Sequence, residues 1–399
     1  MNRKIIPSRA VGTVAAPPSK SMAHRNLICG AFSAESVVRG VDMSKDIEAT
    51  LGCLKALGAR AEISGDVVKI GGFKAENIKE GAELFANESG STLRFLIPVC
   101  LLSGNEVTIT GAPRLFERPL DIYEDICRRR GLKFVKEGNK LTLRGPLRGG
   151  EFFVPGDVSS QFISGLLFAL PMAGEDSIIH ITGKFESASY IDLTLASLRD
   201  FGVEIERLNE CTFKIRGNSE FRSMDVTVEG DWSNAAFFEA LNRLGSDVKI
   251  EGLRQDSLQG DRVYSELFDK IENKDFPIDI SDCPDLAPIL FTVAAAKGEG
   301  RFVGTRRLKI KESDRAEVMR LELSKFGAEV EVFENEVVVK CDSLKAPTEP
   351  LCGHNDHRIV MSMAILSTAC GGVIEGCEAV SKSFPDFFER LESLGVEVK

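Results

Sequence analysis

Six polar, hydrogen-bonding motifs along the chain each run into a mostly apolar stretch. They are SKSMAHR from Ser19, SGSTLR from Ser89, DVSSQF from Asp157, GDWSNA from Gly230, SDCPDLA from Ser281 and HNDHR from His354. Equivalent positions are Ser21, Ser91, Ser160, Ser233, Asp285 and His357, with steps of 70, 69, 73, 52 and 72 residues. A segment that is apolar nearly all round reads as a core helix. Its first turn still carries unpaired N–H groups and the positive end of the helix dipole, which favour bound anions. Six such starts predict a protein that gathers negative charge.

A second series runs in step with the first. LKALGARAEI (54–63), CRRRGLKFV (127–135), LRDFGVEIE (198–206), LSKFGAEVEV (323–332) and LESLGVEVK (391–399) each read as an amphipathic helix end, a glycine and a short alternating strand. Glycine suits the position after a helix because the left-handed conformation carries no Cβ penalty there. The glycines are 58, 131, 202, 327 and 395, and the 125-residue step leaves room for one more copy. DRVYSELFDKIENKDFPIDI (261–280) stands in that gap without the glycine. The two interleaved series predict six divergent repeats of roughly 65 residues, each strand–helix–strand–helix–strand. Common helix-end chemistry would explain one or two copies, not both series.

Composition narrows the class. A chain of 399 residues, 43% hydrophobic and 28% charged, is ordinary for a globular protein of two to three domains. No segment offers about 18 uncharged apolar residues, and the N-terminus lacks an apolar signal core, so a cytoplasmic protein without membrane spans is expected. The ten cysteines include no C-x-x-C pair, and no His/Cys/carboxylate spacing suggests a metal site. A net charge of −10 argues against a nucleic-acid surface. An anion-binding protein of this charge must concentrate its cations locally.

The motifs do so. Lys20 and Arg25 stand at the first start, Arg94 at the second and Arg118 in FERPL. Lys311 and Arg315 stand in KIKESDR, Arg358 in HNDHR and Lys382 in SKSFPDFF. Guanidinium groups grip phosphate and carboxylate bidentately, and lysine supplies a point charge. Each alone reads more readily as a solvated surface cation. Their recurrence beside Ser, Gly, Asn or Asp at repeat starts weakens that reading.

The motifs PPSKSMAHR (17–25), SGSTLR (89–94), ERP (117–119), VSSQF (158–162), SYID (189–192), PDLAP (284–288), KIKESDR (309–315), NDHR (355–358) and KSFPDFF (382–388) stand in one order. In that order and spacing the chain resembles the 3-phosphoshikimate 1-carboxyvinyltransferases, the EPSP synthases, over essentially its whole length. The resemblance implies an α/β fold: a two-domain inverted (inside-out) barrel of six repeats, three per domain, with helices buried and sheets outside. It implies a lower domain of residues 1–17 and 228–399, an upper domain of residues 18–227, and an active site in the interdomain cleft. The implied activity moves the enolpyruvyl group of phosphoenolpyruvate to the 5-hydroxyl of shikimate 3-phosphate and releases inorganic phosphate. It implies no cofactor or metal, small-molecule partners only, and a monomer.

Carried over by position, Lys20, Ser21, Arg25, Ser159, Ser160, Gln161, Ser187, Asp285 and Lys311 are the implied shikimate 3-phosphate ligands. Lys20, Gly90, Arg118, Gln161, Arg315, Arg358 and Lys382 are those for phosphoenolpyruvate. Asp285 is the implied base for the 5-hydroxyl, with Lys20 and Glu312 as the other proton handlers. Read without the resemblance, Asp285 is more readily an N-terminal helix carboxylate, and its place in the family pattern reverses that weighting. His357 is expected to line the cleft, His24 to orient backbone or substrate, and His180 to be structural.

Two positions depart from the better-known bacterial pattern: Glu88 brings a carboxylate near the phosphoenolpyruvate phosphate, and Arg307 replaces an asparagine. Glyphosate occupies the phosphoenolpyruvate site in this family, and Gly90→Ala is expected to hurt its binding more than that of substrate. The sister transferases acting on UDP-N-acetylglucosamine carry a reactive cysteine before an Arg-Pro. GAPRLFERPL (111–120) has none.

Overall fold

One sheet pattern recurs along residues 1–399, all of which the computed structural model describes. Its complete form is clearest in the strands Gly150–Pro155, Ser177–Thr182, Glu206–Asn209 and Thr212–Ile215. The first two pair in parallel, the last two form a hairpin, and the hairpin's second strand runs antiparallel to Ser177–Thr182. The same order holds for the sheets built on Glu106–Thr110 and Glu299–Val303. These copies therefore end in two strands where the sequence led us to expect one. The extra strand follows a turn of two or three residues after the first, so its alternation merges with that of its neighbour.

The chain divides into two compact units, Pro18–Glu229 and Met1–Pro17 with Gly230–Lys399. Val228 still belongs to the first: its N–H donates to the Arg39 carbonyl (2.9 Å) and its side chain lies in that unit's core. The crossing thus falls at Glu229–Gly230, two residues beyond the expected one.

Each unit completes a sheet with a strand distant in sequence. In Pro18–Glu229, the late strand Asp225–Thr227 pairs in parallel with Ser36–Arg39. In the other unit, Val11–Ala15 pairs in parallel with Asp247–Glu251. The repeat around 261–280 lacks the closing hairpin: after the helix Tyr264–Glu272, Lys274 takes the left-handed conformation (φ 57°) that glycine takes elsewhere. The last repeat is completed by the N-terminus, where Asn2–Ile5 runs antiparallel to Gly372–Glu375 and Ile5 bridges Val398.

The six expected core helices are Lys20–Phe32, Gly90–Cys100, Ser160–Ala169, Trp232–Arg243, Ala287–Lys297 and His357–Cys370. All are buried around most of their circumference, so each is held by packing rather than by one apolar stripe. Five begin with a side-chain cap: Ser19, Ser89, Ser159, Asp231 and Asp356 each accept from a first-turn N–H. The sixth does not. Its cap position is Leu286, with Pro288 in the first turn, and the preceding Asp285 is engaged elsewhere.

Candidate active site

Asp285 is the centre of a charged network in the unit that contains both termini. Its Oδ1 accepts from Lys311 Nζ (3.0 Å) and Arg315 Nη1 (2.8 Å), and its Oδ2 from Arg358 Nη2 (3.3 Å). Arg315 continues to Glu312 Oε2 (2.8 Å) and, through Nε, to Asp356 Oδ2 (2.9 Å). Asp356 also accepts from Ser313 Oγ (3.0 Å) while capping the helix that carries Arg358. Arg358 Nη2 further donates to Ser233 Oγ (2.9 Å), and Ser233 donates to Asp231 (2.8 Å). Lys382 donates to the Asn355 carbonyl, immediately before Asp356.

The electrostatics follow from this crowding. Burial works against the Asp285 anion, yet Lys311, Arg358 and Arg315 together hold its carboxyl well below the usual carboxylate range. Burial likewise opposes the Arg315 charge, but Asp356, Glu312 and Asp285 fix it more firmly than usual. Lys311 is pulled below its ordinary value, mainly by burial and then by Arg315 and Arg307 against the opposing pull of Asp285. Two buried atoms of Arg358, Nε and Nη1, have no protein partner. Buried donors of this kind call for an acceptor, and an anionic ligand would supply one.

The unit Pro18–Glu229 holds the other candidates. Lys20 Nζ pairs with Asp46 Oδ2 (2.8 Å). Arg25 is buried, donating to Thr194 Oγ1 (2.9 Å), Ser21 O (2.7 Å) and Tyr190 O (2.9 Å) with its guanidinium over Phe95. Burial lowers it to about 10, which leaves it charged at neutral pH. Gln161 is held on both ends of its amide: Arg94 Nη1 donates to Oε1 (2.8 Å) and Nε2 donates to Ser91 Oγ (3.1 Å). Ser159 caps the helix on which Ser160 and Gln161 stand. Ser187, just before the helix Ala188–Asp200, is buried in a left-handed conformation (φ 56°).

Gly90 and Arg118 are in direct contact. A Cβ on Gly90 would stand 2.5 Å from Arg118 Nη1 and 2.8 Å from its Cζ. Gly90→Ala therefore displaces the guanidinium rather than merely narrowing a pocket. We expect its KM for any anion gripped by Arg118 to rise about tenfold, with inhibitor and substrate affected alike. Steady-state inhibition and saturation curves on the variant check this.

The histidines divide differently from expectation. His24 is buried, its Nδ1 hydrogen-bonded to Thr50 Oγ1 (2.8 Å), so it orients core hydroxyls rather than substrate. Burial, then Lys20 and Arg25, push its pKa well below 6.5. Below that pH the unfolded chain takes up a proton that the folded chain refuses, so stability falls by up to about 1.4 kcal/mol per pH unit. His24→Gln should remove that part of the acid-side slope, as read by urea unfolding across pH 5 to 7. His180 stacks on Phe153 (centroids 4.8 Å apart) on outer strands, a structural role. His357 is buried behind Asp356.

In the terminal unit, the structure gathers Asp285, Lys311, Glu312, Arg315 and Arg358 into one network and ties Lys382 to its edge. In Pro18–Glu229 it forms two groups, Lys20–Ser21–Arg25 and Gly90–Arg118, with Gln161 beside Arg94. Sequence reading passed over Asp46, Asp356, Ser313 and Thr194, and gave Arg94 no partner. Asp356 was within reach, since it lies in the quoted NDHR motif at a cap position. Asp46 and Thr194 carry no local signal because their partners lie 26 and 169 residues away.

A family model described as EPSP synthase (3-phosphoshikimate 1-carboxyvinyltransferase) matches residues 5–391. Similar proteins include a 3-phosphoshikimate 1-carboxyvinyltransferase of Clostridium perfringens, 42% identical over 98% of this chain and 97% of the relative. One of Clostridium kluyveri is 40% identical over 99% and 97%. Among solved structures, EPSP synthase from Acinetobacter baumannii matches with TM-score 0.79 at 24% identity, covering 100% of this chain and 99% of that one. The enolpyruvyl transferase NikO from Streptomyces tendae matches with TM-score 0.73 at 15% identity, covering 100% and 98%. These two share the mixed α/β fold. With a family match over nearly its whole length and relatives of 40–42% identity, the chain belongs to the EPSP synthase family.

Proposed function

We propose that this protein transfers the enolpyruvyl group of phosphoenolpyruvate to the 5-hydroxyl of shikimate 3-phosphate, releasing inorganic phosphate in the shikimate pathway to aromatic amino acids. The observation that carries the mechanism is the Asp285 carboxylate held by Lys311, Arg315 and Arg358. While these cations neutralise it, Asp285 is a weak base. Phosphoenolpyruvate brings a phosphate and a carboxylate for Arg315, Arg358, Lys382, Arg118 and Lys20, with Gly90 giving Arg118 room. Once the cations turn to the ligand, Asp285 loses their stabilisation and its proton affinity rises.

Asp285 then takes the 5-hydroxyl proton as that oxygen bonds to C2 of phosphoenolpyruvate, and the methylene carbon gains a proton. Lys20 and Glu312 are the groups that deliver this proton and remove it again. The tetrahedral ketal collapses by breaking the C2–O bond to phosphate, and loss of the methyl proton restores the enol ether. Arg315 and Arg358 stabilise the departing phosphate. The acceptor is held by Lys20, Ser21, Arg25, Ser159, Ser160, Gln161, Ser187 and Lys311. We read each unit as an inside-out half of an inverted barrel, an arrangement supported by the buried helix of every repeat. The protein acts as a cytoplasmic monomer on this reading; no helix is long and apolar enough to cross a membrane.

Phosphate release from phosphoenolpyruvate, with shikimate 3-phosphate or UDP-N-acetylglucosamine as acceptor, tests the proposal. Release that depends on shikimate 3-phosphate and vanishes in Lys20→Ala supports it. Release only with the nucleotide sugar overturns it.

A further inference from the structure

Glu322 lies outside the charged network, yet it is only 1% exposed and carries three hydrogen bonds. Its Oε2 accepts from the Cys352 backbone N–H (2.9 Å) and Lys325 Nζ (2.8 Å), and its Oε1 from His354 Nε2 (2.8 Å). Two of the three donors belong to the segment that leads into the NDHR motif. That segment is strained. His354 (φ 46°) and Asn355 (φ 53°) are consecutive non-glycine residues in the left-handed region, a conformation that side chains with a Cβ adopt only at a cost. Such a turn persists only where its surroundings over-determine it.

The turn also feeds directly into the anion-binding groups. The Asn355 carbonyl accepts from Lys382. Asp356, the next residue, caps the helix bearing Arg358 and pairs with Arg315. Arg315 and Glu322 stand seven residues apart on one helix, Arg315–Ser324. That helix therefore grips residues 352–358 at two points with opposite charges, Arg315 on Asp356 and Glu322 on Cys352 and His354.

We propose that Glu322 is a positioning residue for the phosphoenolpyruvate side of the site, acting through the turn that sets Asn355 and Asp356. It rests on the function proposed above. Without Glu322 the two left-handed residues relax, the Asn355 carbonyl leaves Lys382, and Asp356 no longer aims Arg315 at its ligand. Shikimate 3-phosphate, held by the other residues, does not sense the change.

Glu322→Gln, which keeps size but removes charge and one acceptor, is expected to raise the KM for phosphoenolpyruvate about tenfold, equivalent to 1.4 kcal/mol. The KM for shikimate 3-phosphate should stay close to wild type. The effect should shrink in a Lys382→Ala background, where only the route through Asp356 and Arg315 remains. His354→Phe removes a single donor and should give a smaller shift in the same direction; it carries the test if Glu322→Gln fails to fold. Calorimetric titration of phosphoenolpyruvate in the presence of shikimate 3-phosphate reads the same shift without turnover. Lower thermal stability with unchanged phosphoenolpyruvate affinity, an equal rise in both KM values, or additivity with Lys382→Ala would overturn the proposal. Wild-type protein that neither turns over nor binds phosphoenolpyruvate would instead overturn the functional reading on which it rests.

Discussion

Asp285→Asn is expected to lower kcat by about 10²–10⁴-fold, the contribution of a well-placed general base. Asparagine keeps the shape and can still accept from Lys311 or Arg358, so substrate binding should survive. A second consequence separates this residue from an ordinary helix-end carboxylate. In the free protein the substitution leaves Lys311, Arg315 and Arg358 facing one another with less negative charge between them. The variant should therefore unfold at lower temperature than wild type but gain more from added phosphoenolpyruvate and shikimate 3-phosphate, because the ligands supply the missing anions. Steady-state rates and thermal unfolding with and without ligand measure both parts. In wild type, the depressed carboxyl means that this stabilisation is complete above the ordinary aspartate value of about 3.9. It is lost only as the pH falls through the lower folded value. An Asp285→Asn enzyme with wild-type kcat would remove Asp285 from the mechanism.

Asp356→Ala should be the most destabilising single change in the network. The carboxylate is fully buried, receives Arg315 and Ser313, and caps a helix of 14 residues. Breaking a buried pair by removing one partner costs about 3–5 kcal/mol. Asp356→Asn is the informative companion. Asparagine is as good a cap as aspartate, so it should recover the capping share of about 1 kcal/mol and leave the charge share lost. If the two variants unfold at the same urea concentration, capping contributes nothing there. If Asn behaves as wild type, Arg315 is adequately neutralised by Asp285 and Glu312 alone.

Those two carboxylates also mark where sequence reading reached and where it stopped. The core helices were legible because Ser19, Ser89, Ser159 and Asp356 cap them through bonds spanning two or three residues, which a sequence displays directly. The glycines at 58, 131, 202, 327 and 395 were legible for the same reason, and all five have positive φ. Strand partners were not. Asp225–Thr227 pairs with Ser36–Arg39 across nearly the whole unit, and no local pattern marks one strand as the other's neighbour. The hairpins were half read: Lys133–Glu137 carried the expected alternation, while Lys140–Arg144 was not read as a strand of its own. Within the candidate site the cations announced themselves by type and motif. Their carboxylate partners Asp46 and Asp356 look like common helix-surface residues, and only tertiary packing shows which of them neutralise a buried charge.

The strands paired across long sequence distances carry a consequence for biosynthesis. Every strand of Pro18–Glu229 lies within one uninterrupted stretch, so this unit can complete its sheets as soon as residue 229 leaves the ribosome. Val11–Ala15 has no partner until Asp247–Glu251 is made, and Asn2–Ile5 waits for Gly372–Glu375. These early strands are thus among the last to pair. The finished chain also brings its ends side by side, with Lys4 N–H donating to Lys399 O (2.7 Å) and Lys399 N–H to Lys4 O (2.8 Å). A gene rewired to join those ends and to open at Gly230 would encode the terminal unit as one continuous segment, and its N-terminal strands would no longer have to wait.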